Sequence, residues 1–252
     1  MPIFDSHIYL EGCALPGVNQ NAAQVAQMLE QRGIERAILL SARAARVDPV
    51  SGNRILKAML EQSDGLYGSV TAHLNRVDAS LQSIKEMLGT KRFLSLTLAT
   101  QEDTAPHPAL AEEILNTCRR YHKPIFIYTP NAACVEAGAA LATRFNTLKF
   151  VFLGMGGHDW RAAIAAAHSI SNVMLETSGP LDRAKIPAAI AGVGAHRLLF
   201  GSAMPYLDPA AALGLLEDAD LSPADLNRIQ QANAMKLFDI STVESVQSTL
   251  ES

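Results

Sequence analysis

The chain has 252 residues, of which 48% are hydrophobic, and it carries a formal net charge of −4. This length and apolar content suffice for one sizeable core. The acidic balance and the lack of any basic block in the sequence disfavour nucleic acid and anionic membranes as partners. Aromatic residues make up only 6% of the chain, which also argues against a base-stacking surface.

The cysteine usage and the N-terminal sequence indicate the compartment. Cys13, Cys118 and Cys134 are widely spaced and form no C-x-x-C pair, which is typical of reduced thiols. The chain begins with a strand-like run and shows no secretory signal pattern. No apolar run approaches the roughly 20 residues that a membrane-spanning helix needs. We therefore expect a cytoplasmic protein that is not attached to a membrane.

Apolar runs of strand length alternate with segments of helical periodicity along the chain. The predicted strands are Ile3–Tyr9, Ala37–Leu40, Leu66–Ala72, Phe93–Leu98, Ile125–Tyr128, Phe150–Leu153, Val173–Glu176 and Leu198–Phe200. A helix is predicted after each of them. The first three lie at about 21–32, about 53–62 and about 79–88, the fourth begins at Pro108, and the fifth ends at about Arg144. The last three are Trp160–His168, Lys185–Ala191 and Ala210–Leu216.

Eight strand-then-helix units predict the α/β class and a single-domain (β/α)8 TIM barrel. Strands that are continuously apolar fit a parallel sheet covered by helices. The alternative is an open doubly wound sheet, but Gly192-Val193-Gly194 lacks the third glycine and the preceding strand of a nucleotide site. A C-terminal extra helix begins at Ser222 and Pro223. We place the barrel domain at residues 1–240 and a polar C-terminal tail at residues 241–252.

Candidate site residues are the polar residues at or just past the predicted strand ends, because barrels of this kind carry their chemistry there. The candidates for catalysis are His7, Tyr128 and Glu176, and those for substrate binding are Tyr9, Arg43, His73, His158 and Tyr206. Several have a structural alternative. For His7 it is a buried histidine held by Asp5 or a tyrosine hydroxyl, and for His73 and His158 a loop histidine bonded to backbone. For Arg43 it is a solvated loop arginine, and for Glu176 a carboxylate that bonds backbone amides.

Several segments resemble one known family in the same order along the chain. They are Phe4–Tyr9, Lys123–Thr129, Phe150–Gly157, Asn172–Ser178, Arg197–Pro205 and the closing stretch Leu221–Phe238. These segments resemble barrel strands and the closing helix of the amidohydrolase-related (amidohydrolase 2) family, which comprises metal-dependent hydrolases and decarboxylases. The resemblance spans nearly the whole chain and implies the same barrel fold.

The resemblance also implies a metal site that this chain has lost. His7 matches the first histidine of the family's Asp-x-His-x-His motif, but Tyr9, Tyr128 and Gly154 replace metal-binding or catalytic histidines, and Ala203 replaces the aspartate. A zinc site needs about three or four N, O or S ligands at ~2.0–2.3 Å. We therefore expect no metal and no other cofactor. A relocated metal site is disfavoured because the strands that carry the remaining histidines are not neighbours.

Two functions lead from the sequence, ahead of an interaction role through the outer helices of the barrel. The first is a hydrolase or decarboxylase that acts on a small organic acid, ester, lactone or amide without a bound metal. His7 would be the general base or a hydrogen-bond donor, and Tyr9 and Tyr128 would position the reacting carbonyl. The second is a catalytically inactive barrel that binds a small ligand or a partner, in which the tyrosine rings fill the former metal site. The expected partner is a small molecule, and a homo-oligomer is left open.

Overall fold

The computed structural model describes residues 2–10, 21–61, 64–101 and 104–240. Cys13 and the predicted tail at 241–252 lie outside the described residues. Eight strands form one parallel sheet in which each strand pairs with the next along the chain. They are β1 (Ile3–Leu10), β2 (Ile34–Ser41), β3 (Leu66–His73), β4 (Phe93–Ala99), β5 (Ile125–Tyr128), β6 (Phe150–Leu153), β7 (Val173–Glu176) and β8 (Leu198–Leu199).

The sheet closes between its last and its first strand through the segment that follows β8. The Tyr9 N–H donates to the Met204 carbonyl at 2.7 Å, and the Ala203 N–H donates to the His7 carbonyl at 2.8 Å. An additional parallel bridge joins Ile8 to Met204. This closure, together with the strand order, confirms the predicted (β/α)8 barrel.

Helices lie between the strands on the outside of the barrel. They are α1 (Ala22–Gln31), α2 (Ala42–Arg46), α3 (Pro49–Leu60), α4 (Val77–Ser83), α5 (Pro108–Cys118), α6 (Ala132–Arg144), α7 (Trp160–Ser169), α8 (Lys185–Val193), α9 (Pro209–Glu217), α10 (Pro223–Asn227) and α11 (Asn233–Leu237). Within the described ranges, no helix combines the length and apolar character needed to cross a membrane.

Local sequence signals account for several helix ends. Asn21 caps α1 in a capping box with Gln24, and Gly33 follows that helix at a φ of +67°, where a side chain would be strained. Pro108 and Pro223 occupy the first turns of α5 and α10, as predicted. These signals place the helices that frame the barrel.

The short helix α2 is absent from the sequence predictions. Its five residues are too few to show a helical period, and it begins directly after β2, where the Ser41 hydroxyl accepts the Ala44 N–H at 3.0 Å. Helix α3 packs against it at Gly52, where an added Cβ would lie 2.3 Å from the Ala44 nitrogen. The region after β2 is therefore a compact helical corner rather than a loop.

The closing helix contains a π-helical segment that sequence periodicity did not predict. Residues Arg228–Ala232 join α10 to α11 with a wider turn. Of the apolar residues of the closing helix, Ile229 is fully buried, whereas Leu226 and Leu237 are half-buried. A π-helical turn holds an extra residue and rotates the following face, which buries Phe238 instead.

Phe238 belongs to an aromatic cluster near the N-terminal ends of the strands. Its ring stacks on Phe4 with a centroid distance of 5.7 Å and meets Phe126 edge-on at 6.1 Å. All three side chains are buried. The cluster fills this end of the barrel with apolar side chains, so the polar cavity lies at the opposite end.

Strands β3 and β4 are not continuously apolar, contrary to the general prediction for the sheet. They carry hydroxyl side chains at alternate positions, Ser69 and Thr71 on β3 and Ser95 and Thr97 on β4. Alternate residues of a strand face the same side. The Ser69 and Thr97 hydroxyls bond at 2.7 Å, and Thr71 and Thr97 both line the cavity, so these hydroxyls form a polar inner wall.

Candidate active site at the barrel mouth

A cavity of about 500 Å³ lies at the C-terminal ends of the strands. Five predicted site residues line it: His7, Tyr9, Tyr128, His158 and Tyr206. Glu176 lies behind the cavity wall and bonds to His7. Arg43 and His73, both predicted to bind substrate, are not among the lining residues.

The position of Arg43 follows from helix α2. Ala42, Ala45 and Arg46 line the cavity, and they share one helical face because their spacings are three and four residues. Arg43 falls on another face and is exposed. Arg46 therefore lies at the cavity, where Arg43 had been predicted.

His73 is engaged by its own loop. Its Nδ1 accepts the Asn75 N–H at 3.1 Å, and its side chain is buried. Burial, and then the nearby charge of Arg76, lower the pKa of His73 below its usual value. This arrangement matches the backbone-bonded alternative for His73. His158, in contrast, is exposed and lines the cavity.

The centre of the site is a buried pair formed by His7 and Glu176. The His7 Nδ1 lies 3.0 Å from the Glu176 Oε2, and both side chains are fully buried. A β-bulge between Asp5 and Ile8 interrupts the β1–β2 register around His7. The Nε2 atom of His7 is buried and has no hydrogen-bond partner among the described residues, although the residue lines the cavity.

Glu176 is an ionised carboxylate held by several donors. Its Oε2 also accepts the Gly154 N–H at 2.9 Å and the Ser178 hydroxyl at 2.7 Å, and its Oε1 accepts the Ser178 N–H. Burial is the largest influence and raises the pKa of Glu176, but His7 and these donors outweigh it and hold the pKa below its usual value. An ionised carboxylate can only accept, so the His7 Nδ1 carries a hydrogen.

A buried lysine supports the loop behind this pair. The Nζ atom of Lys185, the first residue of α8, donates to the carbonyls of Thr177 and Ser178 at 2.8 and 3.0 Å. Its side chain is fully buried. Burial lowers the pKa of Lys185 to about 8, against the opposing charges of Glu176 and Asp182.

Three tyrosines surround the cavity above His7. The Tyr9 ring meets the His7 imidazole edge-on at a centroid distance of 4.8 Å, and Tyr206 meets Tyr9 at 5.4 Å. Tyr128 lies beside Gly154, where an added Cβ would come 3.3 Å from its ring. The Tyr128 ring therefore occupies space beside position 154.

The described lining residues combine one permanent cation with several hydroxyl groups. Among the residues that the structure describes, the lining contains no aspartate or glutamate, whereas Arg46 supplies a permanent cation. Thr71, Thr97, Thr100 and Thr104 add hydroxyl-bearing side chains.

The donor set does not fit the metal that the family resemblance implies. Of the five family positions, His7 offers one free nitrogen, because its Nδ1 is bonded to Glu176. Tyr9 and Tyr128 are weak ligands when neutral, and Gly154 and Ala203 have no donor side chain. No group of three His, Cys, Asp or Glu within the described part of the chain is placed to hold a metal ion. The expectation of a metal-free protein stays a prediction.

Sequence reasoning missed three residues of this site. Ser178 stands in a segment that carries the family resemblance, but its hydroxyl has no pattern of its own. Lys185 reads as an ordinary first-turn residue of a helix. Thr71 could have been found, since the alternation of hydroxyl and apolar residues in β3 and β4 is visible in the sequence.

The fold and the site together define a (β/α)8-barrel protein with a histidine–carboxylate pair at the C-terminal ends of its strands. The sequence model of a family described as Amidohydrolase matches residues 15–240. The chain belongs to this amidohydrolase family, as the sequence resemblance indicated. A search of curated proteins gives no match.

Solved structures share the fold at low sequence identity. A dihydroxybenzoic acid decarboxylase from a Polaromonas species, with bound manganese and 2-nitroresorcinol, is 15% identical with a TM-score of 0.76, covering 97% of this chain and 99% of that chain. A 5-carboxyvanillate decarboxylase from Sphingomonas paucimobilis is 12% identical with a TM-score of 0.74, covering 95% and 99%. An amidohydrolase 2 protein from Bifidobacterium longum subsp. infantis is 14% identical with a TM-score of 0.69, covering 96% and 100%. These likenesses show the fold.

Proposed function

We propose that the protein hydrolyses a small ester, lactone or amide of an organic acid and that His7 is the general base. The observation that carries this proposal is the bonding of His7. Its Nδ1 is bonded to the Glu176 carboxylate, and its Nε2, with no partner among the described residues, belongs to a side chain that lines the cavity. Such a histidine can take a proton at Nε2.

The proposed reaction begins with a water molecule bonded to the His7 Nε2. As the water oxygen attacks the carbonyl carbon, Nε2 takes the water proton, and the imidazolium that forms is stabilised by the ionised Glu176. The same proton then passes from Nε2 to the departing oxygen or nitrogen, which completes the hydrolysis. The Glu176 carboxylate, held by Gly154 and Ser178, fixes the orientation of the His7 ring throughout.

Tyr9 and Tyr128 supply hydroxyl groups near the reacting carbonyl in this proposal. Both line the cavity, and Tyr9 packs against the His7 ring. A hydroxyl that donates to the developing oxyanion lowers the barrier to attack.

The test compares the wild type with His7→Ala and Glu176→Gln on a panel of p-nitrophenyl esters and aryl lactones, with and without EDTA. We expect kcat/KM to fall about 10²- to 10⁴-fold in His7→Ala and less in Glu176→Gln, which keeps the shape but loses the charge. EDTA should leave the wild-type rate unchanged. His196→Ala is the control, because His196 is exposed and precedes β8 at the other end of the barrel. Equal rates in the wild type and His7→Ala would overturn the proposal.

A second candidate is a binding protein without catalytic activity. It is favoured by one observation: the His7 Nε2 is buried, with the Tyr9 ring packed against the imidazole. This candidate predicts that a ligand raises the melting temperature while no member of the panel is converted.

A further inference from the structure

The inner wall formed by β3 and β4 contains a buried polar atom at the cavity that lacks a hydrogen-bond partner. The Thr71 Oγ1 is buried and makes no hydrogen bond within the described residues, and Thr71 lines the same cavity as His7. An unpaired hydroxyl at such a position costs free energy unless a ligand or water satisfies it.

The backbone of Thr71 is fixed from the side of β2. The β2–β3 ladder ends at the pair Leu39 and Gly68. Beyond this point the buried Asn53 of α3 replaces the missing strand, since its Oδ1 accepts the Thr71 N–H at 2.9 Å and its Nδ2 donates to the Thr71 carbonyl at 2.8 Å. On the other side Thr71 pairs with Thr97 of β4. The Thr71 backbone is therefore held rigidly, while its hydroxyl has no hydrogen-bond partner among the described residues.

The neighbouring hydroxyl of this wall at the cavity surface has a hydrogen-bond partner. Thr97 also lines the cavity, but its Oγ1 bonds to the Ser69 hydroxyl at 2.7 Å. Ser95 is unpaired like Thr71, but it is not among the lining residues. Thr71 is thus the position of this wall where an unpaired hydroxyl and the cavity coincide.

We propose that Thr71 is a specificity-determining residue that recognises an uncharged hydroxyl on the ligand. The ligand would place its reacting group at the His7 Nε2 and a hydroxyl at the Thr71 Oγ1, which can both donate and accept. The cavity volume of about 500 Å³ suits a small molecule. This inference rests on the proposed function for the location of the substrate, but it concerns binding and not turnover.

The experiment measures dissociation constants by calorimetry for benzoate and for its 2-, 3- and 4-hydroxy isomers. Benzoate is a small aromatic acid, and the isomers move the hydroxyl around its ring. We expect the wild type to bind at least one hydroxy isomer about three- to tenfold more tightly than benzoate. Thr71→Val, which keeps the shape and removes the hydroxyl, should bind that isomer and benzoate equally.

Two variants serve as controls. Thr71→Ser keeps a hydroxyl and should keep the preference. Ser95→Ala removes an equally buried, unpaired hydroxyl of the same wall that does not line the cavity, and it should also keep the preference. If Thr71→Val does not fold, Thr71→Ala provides the hydroxyl-free comparison.

Three results would overturn the inference: a preference that survives the loss of the Thr71 hydroxyl, no preference in the wild type, or no binding of any of the four compounds at about 20 mM. Failure of the proposed function would look different. In that case the hydroxyl preference and its dependence on Thr71 would remain, while His7→Ala would leave the hydrolysis panel unchanged.

Discussion

At the scale of single residues, the fully buried Glu176 is held by donors on both of its carboxylate oxygens. A buried charge without partners costs several kcal/mol, whereas here His7, Ser178 and the Gly154 amide all donate to it. The same contacts leave the His7 Nε2 as the free end of the pair. The contacts that stabilise the buried pair are thus the same ones that leave Nε2 for the proposed proton transfer.

Lys185 gives a prediction about pH. Burial lowers the pKa of Lys185 from 10.5 in the unfolded chain to about 8 in the folded protein. Between these values the unfolded state binds more protons, so the free energy of unfolding rises with pH; this contribution is present above pH 10.5 and is lost as the pH falls through about 8. The gain is at most about 3 kcal/mol.

Lys185→Met removes this pH-dependent contribution. Urea unfolding between about pH 7 and about pH 9.5 should show the wild type gaining stability relative to Lys185→Met. The variant should also be less stable at all pH values, because the Thr177 and Ser178 carbonyls lose their donor. Lys85→Met, at an exposed position, is the control. A constant difference between wild type and Lys185→Met across this range would contradict the assignment.

At the scale of elements, the segment after β8 must pass very close to the end of β7. An added Cβ at Gly201 would lie 2.2 Å from the Glu176 Oε1 and 2.6 Å from its Cδ. Gly201→Ala should therefore displace Glu176 and cost roughly 3 kcal/mol in the free energy of unfolding. Gly214→Ala in α9, where nothing lies within 4 Å of an added Cβ, should be neutral or stabilising by about 0.5–1 kcal/mol.

A double-mutant cycle checks the cause of the Gly201 effect. If the cost arises from contact with Glu176, then Gly201→Ala should cost much less in a Glu176→Ala background. An equal cost in both backgrounds would mean that the backbone at position 201, and not the carboxylate, rejects a side chain.

Other features of single elements could not be read from the sequence. Helix α2 has five residues, so it shows no period, and its presence moved Arg43 away from the cavity and Arg46 to it. The π-helical turn at Arg228–Ala232 packs against β8 and β1, and such tertiary contacts leave no local periodicity in the sequence. Element boundaries and irregular turns depend on tertiary contacts more than the existence of elements does.

At the scale of the whole molecule, the barrel was predictable because each of its eight strands leaves a local apolar signature. The strands at Ile125–Tyr128, Phe150–Leu153 and Val173–Glu176 have the predicted bounds. The fold also places strand ends at one mouth, which brought His7, Tyr9 and Tyr128 together as expected. The partnership of His7 with Glu176 joins residues 169 positions apart, and Lys185 acts through backbone carbonyls, so neither leaves a pattern in the sequence.

We infer that the His7–Glu176 pair replaces a metal centre, and a metal count per chain tests this inference most directly. We would purify the wild type and His7→Ala in parallel, dialyse both gently, and measure zinc, manganese and iron by elemental analysis. The donor set at the barrel mouth predicts less than about one-tenth of an equivalent of any metal in both proteins. Near one equivalent in the wild type that is lost in His7→Ala would contradict the account, because His7 would then be a metal ligand.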